Sequence, residues 1–118
     1  MPCLLQRGEP DLLSYLGSTP VIVPSIVLGE AYYGTQNSAH IAENLRVIDE
    51  FAASNVILPC DETTARVDGE IKYRLKVKGR PIPENDIWIA AIAHQHHLVL
   101  VTRDAHFQHV DGLQVESW

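Results

Sequence analysis

The chain has 118 residues, is 46% hydrophobic and carries a formal net charge of −6. That length suits a single domain over residues 1–118, with a core large enough to fold without staples. The acidic balance excludes a general electrostatic nucleic-acid binder, unless the negative charge gathers at a divalent-cation site that reverses its local sign. Cys3 and Cys60 are the only cysteines. They make no disulfide framework and have no zinc-site spacing, so both read as reduced thiols. No segment is long and apolar enough to span a bilayer, and the first six residues lack the basic and apolar regions of a secretory signal. A cytoplasmic location is expected.

Two short helices are expected first, over 2–6 and 11–16, joined by a turn at Arg7-Gly8-Glu9-Pro10. Val21-Ile22-Val23 is β-branched and flanked by prolines, which predicts a buried strand. Ser25 can cap a following helix over 26–33, and Gly34 can end it. Ile41, Leu45, Ile48 and Ala52 recur at helical spacing in a helix over 39–54. Val56-Ile57-Leu58 reads as a second strand, followed by a helix over 62–77 that ends at Lys78-Gly79-Arg80-Pro81. Asn85 can cap the next helix, whose stretch 87–93 is apolar on every side and should be largely buried. Strands over 98–102 and 113–115 close the pattern. Helices alternating with short, continuous apolar strands predict an α/β fold with a parallel sheet and helices on its faces.

In such a sheet, ligands gather beyond the carboxyl ends of the strands. Asp104 follows the strand 98–102 at that end, and Glu30 lies on the helix leaving the strand 21–23. Glu30 has Ile26, Val27 and Tyr33 as helical neighbours, so its carboxylate needs a partner, a metal or a proton. Asp86 opens the apolar helix, where the helix N-terminus favours its charge by about 0.3–1 kcal/mol. Converging carboxylates repel, so their assembly points to a cation, and all-oxygen ligands suit Mg²⁺ or Mn²⁺. Taken singly, each residue also has a plain structural reading. Glu30 can be salt-bridged or exposed, Asp86 can be a helix-start residue, and Asp104 can be a turn residue.

Other features carry less. Lys72, Arg74, Lys76, Lys78 and Arg80 alternate around a helix end, which reads as a solvated face or a contact for RNA phosphate. His94, His96, His97, His106 and His109 lack the acidic helix motif of zinc proteases and read as surface histidines. Tyr32 and Tyr33 suit core or interface packing, Trp88 the core and Trp118 a dimer surface.

Two stretches carry a family resemblance. Glu84-Asn85-Asp86-Ile87-Trp88-Ile89-Ala90-Ala91-Ile92-Ala93 and Leu98-Val99-Leu100-Val101-Thr102-Arg103-Asp104-Ala105-His106-Phe107 resemble the C-terminal half of a VapC-type PIN domain. The segment from Val23 through Glu30 to Gly34 is similar to the family's region around its conserved acid, and Gly112–Trp118 also fits. The resemblance implies a PIN-like α/β/α sandwich and a metal-dependent endoribonuclease acting on tRNA or rRNA. It also implies a toxin held by a cognate antitoxin, and a homodimer. It places Glu30, Asp86 and Asp104 on the family's metal-site acids, with Thr102 as a hydroxyl beside them. One departure stands out. Family members begin with a hydrophobic strand ending in Asp-Thr-Asn, whose aspartate completes the acidic site, and Met1 falls just after that motif. The first, central strand is therefore expected to be missing. Asp11 lies in the next expected helix and cannot replace the aspartate. An N-terminally truncated chain with impaired activity is the expectation, from a misplaced start codon or a gene lesion. The alternative is an inactive PIN-like module that only binds an antitoxin or another protomer.

Overall fold

The computed structural model describes residues 3–5 and 21–117. In chain order the elements are β1 Cys3–Leu5, β2 Val21–Pro24, α1 Ser25–Gln36, α2 Ile41–Ser54 and β3 Val56–Leu58. Then follow α3 Glu62–Lys78, α4 Glu84–Gln95, β4 Val99–Val101, a 3-10 helix Ala105–His109 and β5 Val115–Glu116. The strands form one sheet in the order β3-β2-β1-β4-β5. All four pairings are parallel, and one lateral row runs Val56, Ile22, Leu4, Leu100, Val115. The helices pack in pairs, α1 with α2 and α3 with α4, and α1 also meets α4. This is the expected α/β/α arrangement.

The central strand is where the sequence expectation fails. Cys3–Leu5 was expected in a helix, and the central strand was expected to be absent. Cys3–Leu5 instead fills the centre, paired with β2 on one side and β4 on the other. The reason is the sheet itself. A gap there would leave two facing edges with unpaired backbone groups. Three apolar residues satisfy both ladders, and such short runs take their conformation from context. The expected turn at 7–10, the helix over 11–16 and Trp118 lie outside the described residues.

The core gathers on β4 and α4. Val23, Leu100, Val101, Ile89, Ala90, Ala91, Ile92, Ala93 and Phe107 are all wholly buried. The stretch 87–93 is thus buried as its apolar circumference predicts, although Trp88 is only half-buried. Asp61 caps α3 by accepting the Thr64 N–H at 3.0 Å, while the Thr64 hydroxyl accepts the Asp61 N–H. Gly79 ends α3 at φ 69°, a left-handed conformation suited to glycine. Two expected caps are not made. Pro24 and Pro83 hold the N-cap positions of α1 and α4 in extended geometry, with no side-chain cap bond. Ser25 and Asn85 therefore fall inside their helices, past the position from which a capping side chain works. The helix α1 also runs past Gly34 to Gln36. Among the described residues, no helix is long and apolar enough to cross a membrane.

Candidate metal centre

The carboxyl ends of β2 and β4 each hand the chain to a polar element. Beyond β4, Thr102 keeps the exit on the sheet, donating its N–H to Glu116 O at 2.9 Å. Thr102 is buried, and its hydroxyl accepts the Asp104 N–H at 3.0 Å. Asp104 then becomes the N-cap of the 3-10 helix, accepting the His106 N–H at 2.9 Å on Oδ1. The ring of His106 folds back, with Nδ1 2.9 Å from that same oxygen.

Asp86 arrives from the other direction. It lies in the first turn of α4, where its own N–H is donated to Pro83 O at 3.0 Å. Its exposure is 4%, on a helix otherwise buried by apolar residues. A carboxylate so placed is anchored by the helix and costly to leave charged without compensation. Ligand atoms of Asp86, Asp104 and His106 all lie within 4.8 Å of one another. Two carboxylates and one imidazole at this separation are a donor set that fits a divalent cation.

Glu30 is half-buried on α1 and lines an open cleft with Ser25, Ile26, Gly29, Tyr33 and Asn85. The cleft lining includes Asn85, the residue before Asp86, and Glu30 is not among the residues of the 4.8 Å set.

The sequence model of the PIN domain matches residues 5–113. The chain belongs to the PIN-domain family. Several VapC proteins are similar over most of the chain. The protein named Ribonuclease VapC2 of Haemophilus influenzae is 38% identical over 118 residues, covering 98% of this chain and 89% of the relative. The tRNA(fMet)-specific endonuclease VapC of Shigella flexneri is 33% identical over 104 residues, covering 87% and 79% of the two chains. Among solved structures, VapBC2 from Rickettsia felis bound to a promoter DNA fragment superposes with a TM-score of 0.86 at 26% identity. The match covers 100% of this chain and 99% of that one.

Within this PIN domain, two features are not legible in the sequence, and one of them lies in the acidic cluster. His106 was grouped with the surface histidines, yet it alone of that group joins the acidic cluster among the described residues. The only sequence signal was its position two residues after Asp104, where a cap brings the backbone round. The second is Asp68 on α3, one of whose oxygens is buried without a hydrogen-bond partner among the described residues. Burial, then the nearby Glu84, raises its pKa above the ordinary carboxylate range, with Lys72 opposing. Nothing in the sequence pattern distinguished it. Beside it Lys72 pairs with Glu84 at 2.5 Å, and at the far end of α3 Lys78 pairs with Asp111 at 2.5 Å. Arg74, Lys76 and Arg80 make no ion pair among the described residues. Tyr33 is 73% exposed and so is not a core residue.

Proposed function

We propose that this chain is a metal-dependent endoribonuclease, the toxin half of a VapBC-type pair, working in the cytoplasm as one domain. The observation that carries the reading is the convergence of the buried Asp86 with Asp104 within 4.8 Å at the carboxyl rim of the sheet. The names of the relatives support it: ribonuclease and tRNA endonuclease for the curated proteins, VapBC for the solved structures. The expected ion is Mg²⁺ or Mn²⁺, the substrate tRNA or rRNA, and the protein partner an antitoxin. The exposed Tyr33, Val47, Tyr73 and Val77 offer apolar surface for that partner and for a second copy in a homodimer.

In this reading Asp86 and Asp104 hold the cation, and Thr102 keeps Asp104 in place through its backbone N–H. A divalent ion at this position supplies Lewis acidity toward the phosphodiester and its attacking water. Glu30, which lines the cleft with Asn85, is assigned the role of orienting that water and taking its proton. The water oxygen bonds to phosphorus, the bond from phosphorus to the leaving ribose oxygen breaks, and that oxygen takes a proton from bulk water. Arg74, Lys76 and Arg80 bring local positive charge to a chain of net charge −6, where RNA phosphate needs it.

A specific observation favours a second reading, a binding module without turnover. The strand β1 is followed in sequence by Gln6 and Arg7, so no acid stands directly after it. In the family pattern that place holds an aspartate, and its lack here predicts slow cleavage. The test is incubation of the chain with an RNA panel that includes tRNA, with Mg²⁺ or Mn²⁺, against Asp86→Asn and a chelator control. Cleavage by the unaltered chain alone supports the nuclease. Equal cleavage by Asp86→Asn overturns the site. No cleavage together with retained antitoxin binding selects the second reading.

A further inference from the structure

His106 stands at the metal centre without a role in the steps above. Its ring is half-exposed, its Nδ1 lies 2.9 Å from Asp104 Oδ1, and one of its ring nitrogens is within 4.8 Å of the Asp86 carboxylate. A ring that only orients Asp104 would have little left to do. The Asp104 Oδ1 is already held by the His106 backbone N–H at 2.9 Å, and its own N–H by Thr102 at 3.0 Å. Nor does an orienting role call for approach to Asp86, on a different helix. A shared ion accounts for both neighbours. Two donors at adjacent corners of an octahedral ion, each bound at about 2.1 Å, stand about 3 Å apart. The 2.9 Å between Nδ1 and Oδ1 is the length of an ordinary ion pair and also accommodates that spacing, so it is the approach to Asp86 that carries the inference.

We propose that His106 is itself a ligand of the cation held by Asp86 and Asp104, and that it tilts the centre toward Mn²⁺ over Mg²⁺. The proposal rests on the metal-centre reading above and adds a nitrogen donor to an otherwise oxygen site. Mg²⁺ is a hard ion that takes oxygen and keeps its waters, whereas an imidazole nitrogen suits first-row transition ions. Replacing the ring therefore weakens Mn²⁺ more than Mg²⁺.

The test uses the full chain and its His106→Ala, His106→Gln and Asp86→Asn variants. Thermal stabilisation is followed against each ion, since a ligand that binds only the folded state raises its stability. Electron spin-echo modulation of bound Mn²⁺ then reports directly on nitrogen coordination. His106 is exposed enough for its variants to fold, and circular dichroism checks that they do. The unaltered chain is expected to show ¹⁴N coupling, lost in both His106 variants. His106→Ala is expected to weaken Mn²⁺ by about tenfold or more and Mg²⁺ by no more than about threefold. Glutamine can still hydrogen-bond Asp104 but supplies no ring nitrogen, so Mn²⁺ affinity restored by His106→Gln overturns the proposal. So does ¹⁴N coupling that is absent from the unaltered chain or survives in His106→Ala. If the unaltered chain binds Mn²⁺ and Asp86→Asn does not, such a failure touches His106 alone. If the unaltered chain binds neither ion, the metal-centre reading falls too.

Discussion

The helices α4 and α2 are nearly equal in length, 12 and 14 residues, and opposite in placement. α4 buries Asp86 and six apolar residues, whereas α2 buries none. The acids of α2, Glu43, Asp49 and Glu50, are exposed, and the contact Asp49 makes is with the Tyr32 hydroxyl at 2.5 Å. Acidic side chains are therefore distributed over the whole molecule, and what singles out Asp86 is the helix beneath it. A carboxylate fixed on a buried helix cannot relax into solvent, so a facing carboxylate and imidazole meet it in a set geometry. On α2 the same residue type is solvated and does nothing comparable.

The largest effect that can break this contrast is on stability. Ile92→Ala, at a wholly buried position of α4, is expected to cost about 2–5 kcal/mol in urea unfolding. Val47→Ala, on α2 at 60% exposure, should stay within about 0.5 kcal/mol. Equal losses would remove the distinction between the two helices. Next comes metal linkage. At free Mn²⁺ about a hundredfold above Kd, binding to the folded state should add about 2.7 kcal/mol, read as a rise in Tm. Asp86→Asn should abolish that rise and Asp49→Asn should leave it intact. A smaller effect tests the end of α3, where Gly79→Ala at φ 69° should lose about 1 kcal/mol by denaturant melts.

The smallest effects depend on pH and set two acids of α3 and its cap against each other. The Thr64 N–H, then Gln95, holds the Asp61 carboxyl below its ordinary pKa of 3.8. Its charge therefore stabilises the fold above pH 3.8, and that part is lost as pH falls through the lower folded value. Asp61→Ala should lower Tm at neutral pH, with the difference narrowing in acid below that point. Asp68 is shifted the other way, upward from 3.8, so the stability present below pH 3.8 is lost as pH rises through the raised folded value. Asp68→Asn should raise Tm at neutral pH and change nothing below pH 3.8. A lower Tm at neutral pH would mean that the Asp68 carboxylate is held by its surroundings after all.

Much of this was legible without coordinates. The alternation of elements, the all-round burial of 87–93 and the stop at Gly79 follow from local periodicity and turn chemistry. Asp86 and Asp104 could be nominated because each stands where a strand ends or a helix begins. Their meeting could not, since it depends on α4 and the β4 exit lying side by side across a separation of 18 positions in the chain. His106 was invisible for a related reason. Its place is set by the cap that Asp104 makes to the following turn, which residue type alone does not reveal.

The sequence by itself determined the fold class and the acids available to a site, because side-chain periodicity and helix-stop chemistry act over a few residues. Tertiary structure alone decided that Cys3–Leu5 is a strand and that His106 joins the carboxylates. Both outcomes are settled by partners remote in the chain: two strand edges that must be hydrogen-bonded in the first case, a buried carboxylate on another helix in the second.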